Sequence, residues 1–264
     1  MLKQWTRFEK IWLGTFAFLI LSATVIFSIM YTDYSSTKSI VLNWIISPVS
    51  ALTGILCVVL VARGSIWNYA WGVVNCISYG YIAYNIGYYG DFVINIFYFL
   101  PFQFIGFIWW RHHFKSGSNE YVKMRRLSFK QLLYILGGGI LATFAVGYAL
   151  FTLDHWFTNT LKRSESIYQY IDSVTHIKFL GSIFDASTEI LQIIAQLLMT
   201  FAYAEQWLFW ILTNIITITM WTIVLVADPT TIAWVLPTTL TWVAFLINAI
   251  YGHYNWIKGA KQNV

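Results

Sequence analysis

The chain has 264 residues, of which 58% are hydrophobic, 19% aromatic and only 10% charged. A soluble domain of this length has no use for so much apolar surface and would aggregate, so that class is excluded and a polytopic membrane protein is indicated. The net charge of +5 is not read as a nucleic-acid footprint, because in a membrane protein the placement of cations along the chain sets topology.

About 20 apolar residues are needed to cross the hydrocarbon core as a helix. Eight runs meet this: 11–31, 41–62, 66–87, 91–110, 129–151, 179–202, 205–227 and 230–252. They are too long to be membrane strands and do not alternate apolar with polar residues, so an all-α fold is expected. Lys3, Arg7 and Lys10 precede the first run as they would in a signal peptide. Its apolar stretch is too long for one, and no small-residue cleavage site follows at residues 28–36, so a retained anchor is expected. Cys57 and Cys76 fall inside apolar runs and imply neither a disulfide framework nor a metal cluster.

With the N-terminus inside, eight crossings place Lys3, Arg7, Lys10, Arg63, Arg111, Lys115, Lys123, Arg125, Arg126, Lys130, Lys258 and Lys261 inside. Lys38, Lys162, Arg163 and Lys178 lie outside. Twelve against four is the bias that orients membrane proteins, and both termini are then cytoplasmic. Most of the inside charge lies in the loop 111–130, read as a topology signal in contact with lipid headgroups. The adjacent His112 and His113 do not share one helix face as a metal pair would, and no metal is expected. The mixed-charge segment 152–178 is read as an outer loop folded partly along the surface.

Two parts of the chain are alike. In residues 51–78 and 186–217, Ala51-x-Thr53 matches Ala186-x-Thr188, and Ile55-Leu56 matches Ile190-Leu191. Trp71-x-x-x-Asn75 then matches Trp210-x-x-x-Asn214, with a short insertion in the second copy. Leu100-Pro101 and Leu236-Pro237 fall in the last run of each triplet. The repeat is three helices. One extra crossing between the copies restores direction, so the copies are parallel, one of the two plans for secondary transporters.

The sixth run carries a polar stripe. At about 100° per residue, Asp185, Glu189, Gln192 and Gln196 fall in a narrow sector, with Thr188 and Tyr203 at its edge or on it. Ile183, Ile190, Ile194 and Leu197 lie opposite. Lipid cannot satisfy such a face, so it must point into protein or a water-filled cavity. Interhelical hydrogen bonding is the plainer role for a single Gln or Thr; a stripe with two carboxylates favours a cavity. Trp67, Asn68, Trp71, Asn75 and Ser78 share about a quarter-turn of the third run, and Trp207, Trp210, Asn214 and Trp221 share a similar sector of the seventh. Trp67 and Trp207 lie near the run ends, where interfacial tryptophans are common; Trp71, Trp210, Asn75 and Asn214 lie deeper. Indole faces bind flat rings and cations, and amides both donate and accept hydrogen bonds. Gln103, just after Pro101, adds an amide or instead satisfies backbone groups freed by the proline. The set suits a neutral or cationic aromatic ring with hydroxyls and an amide. Asp185, Glu189 and Tyr203 are candidate gate or substrate-charge contacts.

The stretch FDASTEILQIIAQ through QWLFWILTN, with WNYAW at 67–71, resembles the PnuC family of vitamin-precursor transporters over about residues 45–110 and 180–258. The resemblance implies a SWEET-like 3+1+3 arrangement of two parallel three-helix repeats plus an extra N-terminal helix. Residues 1–40 hold the extra helix and 41–110 the first repeat. Residues 111–178 hold the basic loop, a linker helix and the outer loop, and 179–264 the second repeat and tail. It also implies facilitated diffusion of nicotinamide riboside across the bacterial inner membrane, trapping by phosphorylation inside, and no cofactor or ATP site. Binding residues carried over are Trp67, Asn68, Trp71, Asn75, Thr188, Gln192, Gln196, Trp210 and Asn214. Relatives for thiamine, riboflavin or deoxynucleosides share this framework, and a homo-oligomer is compatible with it.

Alternating access would rock the halves about a midplane site, with Pro101 and Pro237 as pivots or as mere packing kinks. A membrane enzyme using Asp185 and Glu189 as an acid/base pair is a competing class, but no nucleophile, metal or phosphate-loop motif accompanies them. A non-transporting receptor has no need of repeated polar faces.

Overall fold

The computed structural model describes residues 5–86, 92–161, 167–227 and 232–261. Helices follow in chain order as α1 (Arg7–Tyr31), α2 (Thr37–Arg63), α3 (Asn68–Ile86), α4 (Leu100–His112), α5 (Phe129–Leu161), α6 (Ile167–Thr175), α7 (Leu180–Thr200), α8 (Gln206–Ala227) and α9 (Ile232–Lys261). Each of the eight apolar runs, as far as its residues are described, is mainly helical. Four helices, over Arg7–Met30, Thr37–Arg63, Phe129–Trp156 and Gln206–Val226, are long and apolar enough to cross a membrane by length and composition alone. α7 falls short because of the polar residues on it.

Three boundaries differ from the sequence reading. The run expected to end at 151 continues as α5 to Leu161, so the segment read as an outer loop begins helical and then forms α6. The last run continues past 252 to Lys261. α7 stops at Thr200, because Ala202 turns to a left-handed φ of 56°. Prolines bring a further local feature. π-helical turns at Leu42–Ile46 and Ile94–Phe99 stand just before Pro48 and Pro101. A proline offers no N–H to the preceding turn and its ring crowds it, and a wider turn accommodates both.

The chain forms two compact units, one of residues up to Arg125 with Met199–Ala204 and the chain from Ile250, the other of Arg126–Leu198 with Glu205–Ala249. In the first, α1 opens on a capping box: Glu9 N–H donates to the Thr6 hydroxyl (3.1 Å) and Thr6 N–H to the Glu9 carboxylate (2.7 Å). α2 ends at Gly64, φ 71°, where Gly64 N–H reaches Val61 O (2.8 Å) and Ser65 N–H reaches Leu60 O (2.9 Å). This is a Schellman stop, and glycine takes its left-handed position at no steric cost. The indole N–H of Trp256 donates to Val61 O (2.8 Å), that of Trp110 to Met199 O (3.1 Å), and the two rings lie 5.8 Å apart. Both tryptophans are fully buried with Tyr69, which meets Trp110 edge-on. Large rings with satisfied N–H groups make a dense core for this end of the unit.

In the second unit α5 packs on α7 through glycines. A Cβ on Gly147 would lie 2.6 Å from Ile183 Cδ1, and one on Gly139 3.0 Å from Ile194 Cδ1. Close backbone approach at small residues is the usual way membrane helices gain contact where lipid gives no hydrophobic driving force. The start of α7 is held from α6: the Asp172 carboxylate accepts from Phe179 N–H (2.7 Å) and Gly181 N–H (2.8 Å). It satisfies donors that a helix start leaves open.

Candidate functional site

The packing of α5 decides where the α7 stripe points. Ile183 and Ile194 lie against Gly147 and Gly139 of α5, and they stand opposite Asp185, Glu189, Gln192 and Gln196 on the helix. The polar face is therefore turned away from α5. Asp185, Glu189 and Gln192 are half-buried, while Thr188 and Gln196 are buried. Thr188 closes its hydroxyl on Asp185 O at 2.8 Å, the local bond expected of a threonine in a helix. Neither carboxylate is without a partner.

α8 shows a matching asymmetry. Leu208, Leu212 and Ile215 are exposed, and Gln206, Thr213, Asn214 and Thr217 are buried, with Trp210 half-buried on the same side. An apolar outside and a polar inside invert the soluble pattern and suit a helix whose outer face meets lipid.

In the first unit, Trp67 and Trp71 are exposed, at 61% and 40%. Trp67 sits in the turn 64–67, which is pinned to the basic loop: Ile66 N–H donates to Glu120 O (2.9 Å) and Val122 N–H to Gly64 O (3.0 Å). Asn68 is turned inward; its amide donates to Ser65 O (2.6 Å), and its carbonyl oxygen is buried with no partner among the described residues. Asn75 donates to Ser50 O (2.8 Å) and lies against Gly54, tying α3 to α2. Gln103 donates to Phe99 O (3.2 Å), and its Oε1 is buried against Gly72 of α3 without a partner among the described residues. The first-unit residues thus divide into two exposed indoles and three amides committed, in whole or part, to backbone groups.

Tyr203 does not share the α7 sector, because the helix ends before it. It lies in the turn after Ala202, where the Arg125 guanidinium sits 4.5 Å from its ring centroid. Arg125 N–H donates to Ala202 O (2.8 Å), and Ala204 N–H returns a bond to Arg125 O (2.9 Å). The loop 111–130, read as a topology signal in contact with lipid headgroups, is therefore a structured element that pins the left-handed turns at Gly64 and at Ala202. Sequence reasoning also missed Glu9. Its carboxylate accepts from Arg63 Nη1 (2.8 Å) and from the Tyr251 hydroxyl (2.9 Å). The basic residues on either side of α1's start masked the one acid among them.

Among the described residues no group of three or more His, Cys, Asp or Glu comes together as a metal site. His113 stacks on Trp109 with ring centroids 3.8 Å apart. The chemistry on offer is that of recognition: indole faces, amides, hydroxyls and two carboxylates on one helix.

Comparisons with known proteins agree with that character. A family model described as nicotinamide mononucleotide transporter matches residues 44–258. The nicotinamide riboside transporter PnuC of Neisseria mucosa is 32% identical over 98% of this chain and 84% of its own length. That of Haemophilus influenzae is 28% identical over 98% and 93%. A crystal structure of the vitamin B3 transporter PnuC superposes with a TM-score of 0.68 at 31% identity, covering 99% of this chain and 95% of that one.

Proposed function

The chain belongs to the nicotinamide mononucleotide transporter family, that of the PnuC proteins, and from that premise we propose that it carries nicotinamide riboside across the cytoplasmic membrane by facilitated diffusion. The family and its solved relative are transporters, so Asp185 and Glu189 are read as recognition groups and not as an acid/base pair. The observation that carries the reading is the α7 face. A membrane helix keeps two carboxylates and two glutamines on the side turned away from its packing partner α5, which favours a solute path over helix adhesion.

Nicotinamide riboside has a cationic aromatic ring, a carboxamide and sugar hydroxyls. Asp185 and Glu189 attract the cation at the approach. Trp210, and Trp67 and Trp71 in the first repeat, offer indole faces to the ring. Gln192, Gln196 and Asn214, with Asn68, Asn75 and Gln103 in the first repeat, supply amides for the carboxamide and hydroxyls, and Thr188 lies beside Gln192 on α7. The helix arrangement is inferred to be 3+1+3: two parallel repeats over 41–110 and 179–264, α5 as the linker, α1 as the addition, both termini cytoplasmic. The bias of twelve cations to four supports that orientation.

Uptake of radiolabelled nicotinamide riboside into proteoliposomes tests the reading, first without a gradient, then with a proton or sodium gradient. Equilibrative, saturable uptake that is lost in a Gln196→Ala, Asn214→Ala double variant is the expected result. Uptake of thiamine, riboflavin or a deoxynucleoside without the riboside would retain a transporter and overturn the substrate. Uptake only under an imposed gradient would overturn facilitated diffusion.

A further inference from the structure

Hydroxyls on a lipid-embedded helix ordinarily close on the carbonyl one turn back, because lipid offers no other acceptor. α8 follows this on its exposed side. Thr219 donates to Ile215 O at 2.8 Å and Thr222 to Ile218 O at 2.8 Å. Its buried side does not. Thr213 is fully buried and Thr217 is 7% exposed, and neither hydroxyl has a hydrogen-bond partner among the described residues. Gln206 is fully buried too, with both amide atoms unpartnered among the described residues. At about 100° per residue these three positions fall within roughly 40° of one another. They form one line along the helix, beside Asn214.

A single orphaned buried polar group is a minor defect. Three in register on one helix are a pattern, and buried polar groups in native proteins are otherwise nearly always paired. Val or Leu at these positions would bury the same volume without the desolvation penalty. The sequence keeps polar side chains on the face that includes Asn214, the amide assigned above to the substrate.

We propose that Thr213 and Thr217, one helical turn apart, form a pair of hydrogen-bonding positions for the sugar hydroxyls of the substrate, setting selectivity for a riboside over a deoxyriboside; Gln206, about 10 Å further along the same line, is too distant to share the same sugar. A threonine hydroxyl donates once and accepts twice. Such groups match a vicinal diol, whose hydroxyls are themselves donors and acceptors. The inference rests on the transport reading above and extends it to residues outside the Trp-Asn and Gln pairs.

The test uses Thr213→Val and Thr217→Val, singly and together, in proteoliposomes. Labelled riboside uptake is competed with unlabelled riboside and with its 2′-deoxy and 3′-deoxy analogues, and each purified protein is melted. KM for the riboside is expected to rise roughly three- to tenfold per lost bond, as for a typical net hydrogen bond. The preference for riboside over at least one deoxy analogue should shrink, with the melting temperature unchanged or raised. Wild-type uptake with unchanged KM and unchanged preference in every variant would overturn the inference and leave the transport reading standing. Lower melting temperatures with equal loss for all three solutes would overturn it too, since the hydroxyls would then be holding the fold. Folded wild-type protein that takes up no riboside would remove both.

Discussion

Glu9 and Arg63 are 54 residues apart in the chain and 2.8 Å apart in the fold, with only 2% and 4% of their side chains exposed. The pair is the centre of a larger knot. Arg63 also donates to the Tyr121 hydroxyl (3.2 Å) and lies 4.4 Å from the Trp5 ring centroid, and Tyr251 donates to Glu9. α1, the basic loop, the end of α2 and the C-terminal half of α9 are joined at one point. α1 is therefore built into the first unit.

Removing one member of that pair should be far worse than removing both. Glu9→Leu strands a buried guanidinium and is expected to destabilise the protein by about 3–5 kcal/mol. Exchanging both residues, as Glu9→Leu with Arg63→Met, should recover most of that loss, because the desolvation penalty disappears with the charges. Thermal melting of the purified protein in detergent reads both. A single variant that melts like wild type would show that the pair is not isolated from water.

What could be read from the sequence and what could not separate along physical lines. The bilayer demands long apolar helices, so the runs were legible, and the α7 stripe was legible because helical periodicity alone places its residues. Tyr203 was misplaced on that stripe because its helix ends without a signal. α2 ends just before Gly64, a residue that announces a left-handed turn, whereas α7 ends at Thr200 ahead of Ala202, which takes a similar φ with no glycine to mark it. The Glu9–Arg63 pair was illegible for another reason: no periodicity links residues on different helices. The orphaned hydroxyls of Thr213 and Thr217 were hidden because Thr219 and Thr222 look the same in one dimension and close on their backbone in three.

Asn75 offers a second prediction. Its amide donates to Ser50 O at 2.8 Å, and Gly54 leaves room for it. Asn75→Asp replaces the donor with an acceptor facing a carbonyl oxygen. The lost bond and the repulsion should lower stability by about 1–3 kcal/mol, visible as a lower melting temperature with or without riboside. An Asn75→Asp variant as stable as wild type would mean that α3 is not tied to α2 through this amide.

Gly147 and Gly138 lie on the same helix and should respond in opposite senses. A side chain at Gly147 meets Ile183, with the Ile183 Cα itself 3.5 Å from the position of a Cβ. Gly147→Val adds branches that this backbone cannot yield to, and overpacking of this kind costs about 1–3 kcal/mol. It should also rotate or displace α7, and with it the face carrying Gln192 and Gln196, so riboside uptake should fall together with the melting temperature. At Gly138 nothing lies within 4 Å of an added Cβ. Gly138→Ala should therefore gain up to about 1 kcal/mol from helix propensity alone and leave uptake unchanged. Equal behaviour of the two variants, in melting and in proteoliposome uptake, would mean that the α5–α7 contact does not set the direction of the polar face.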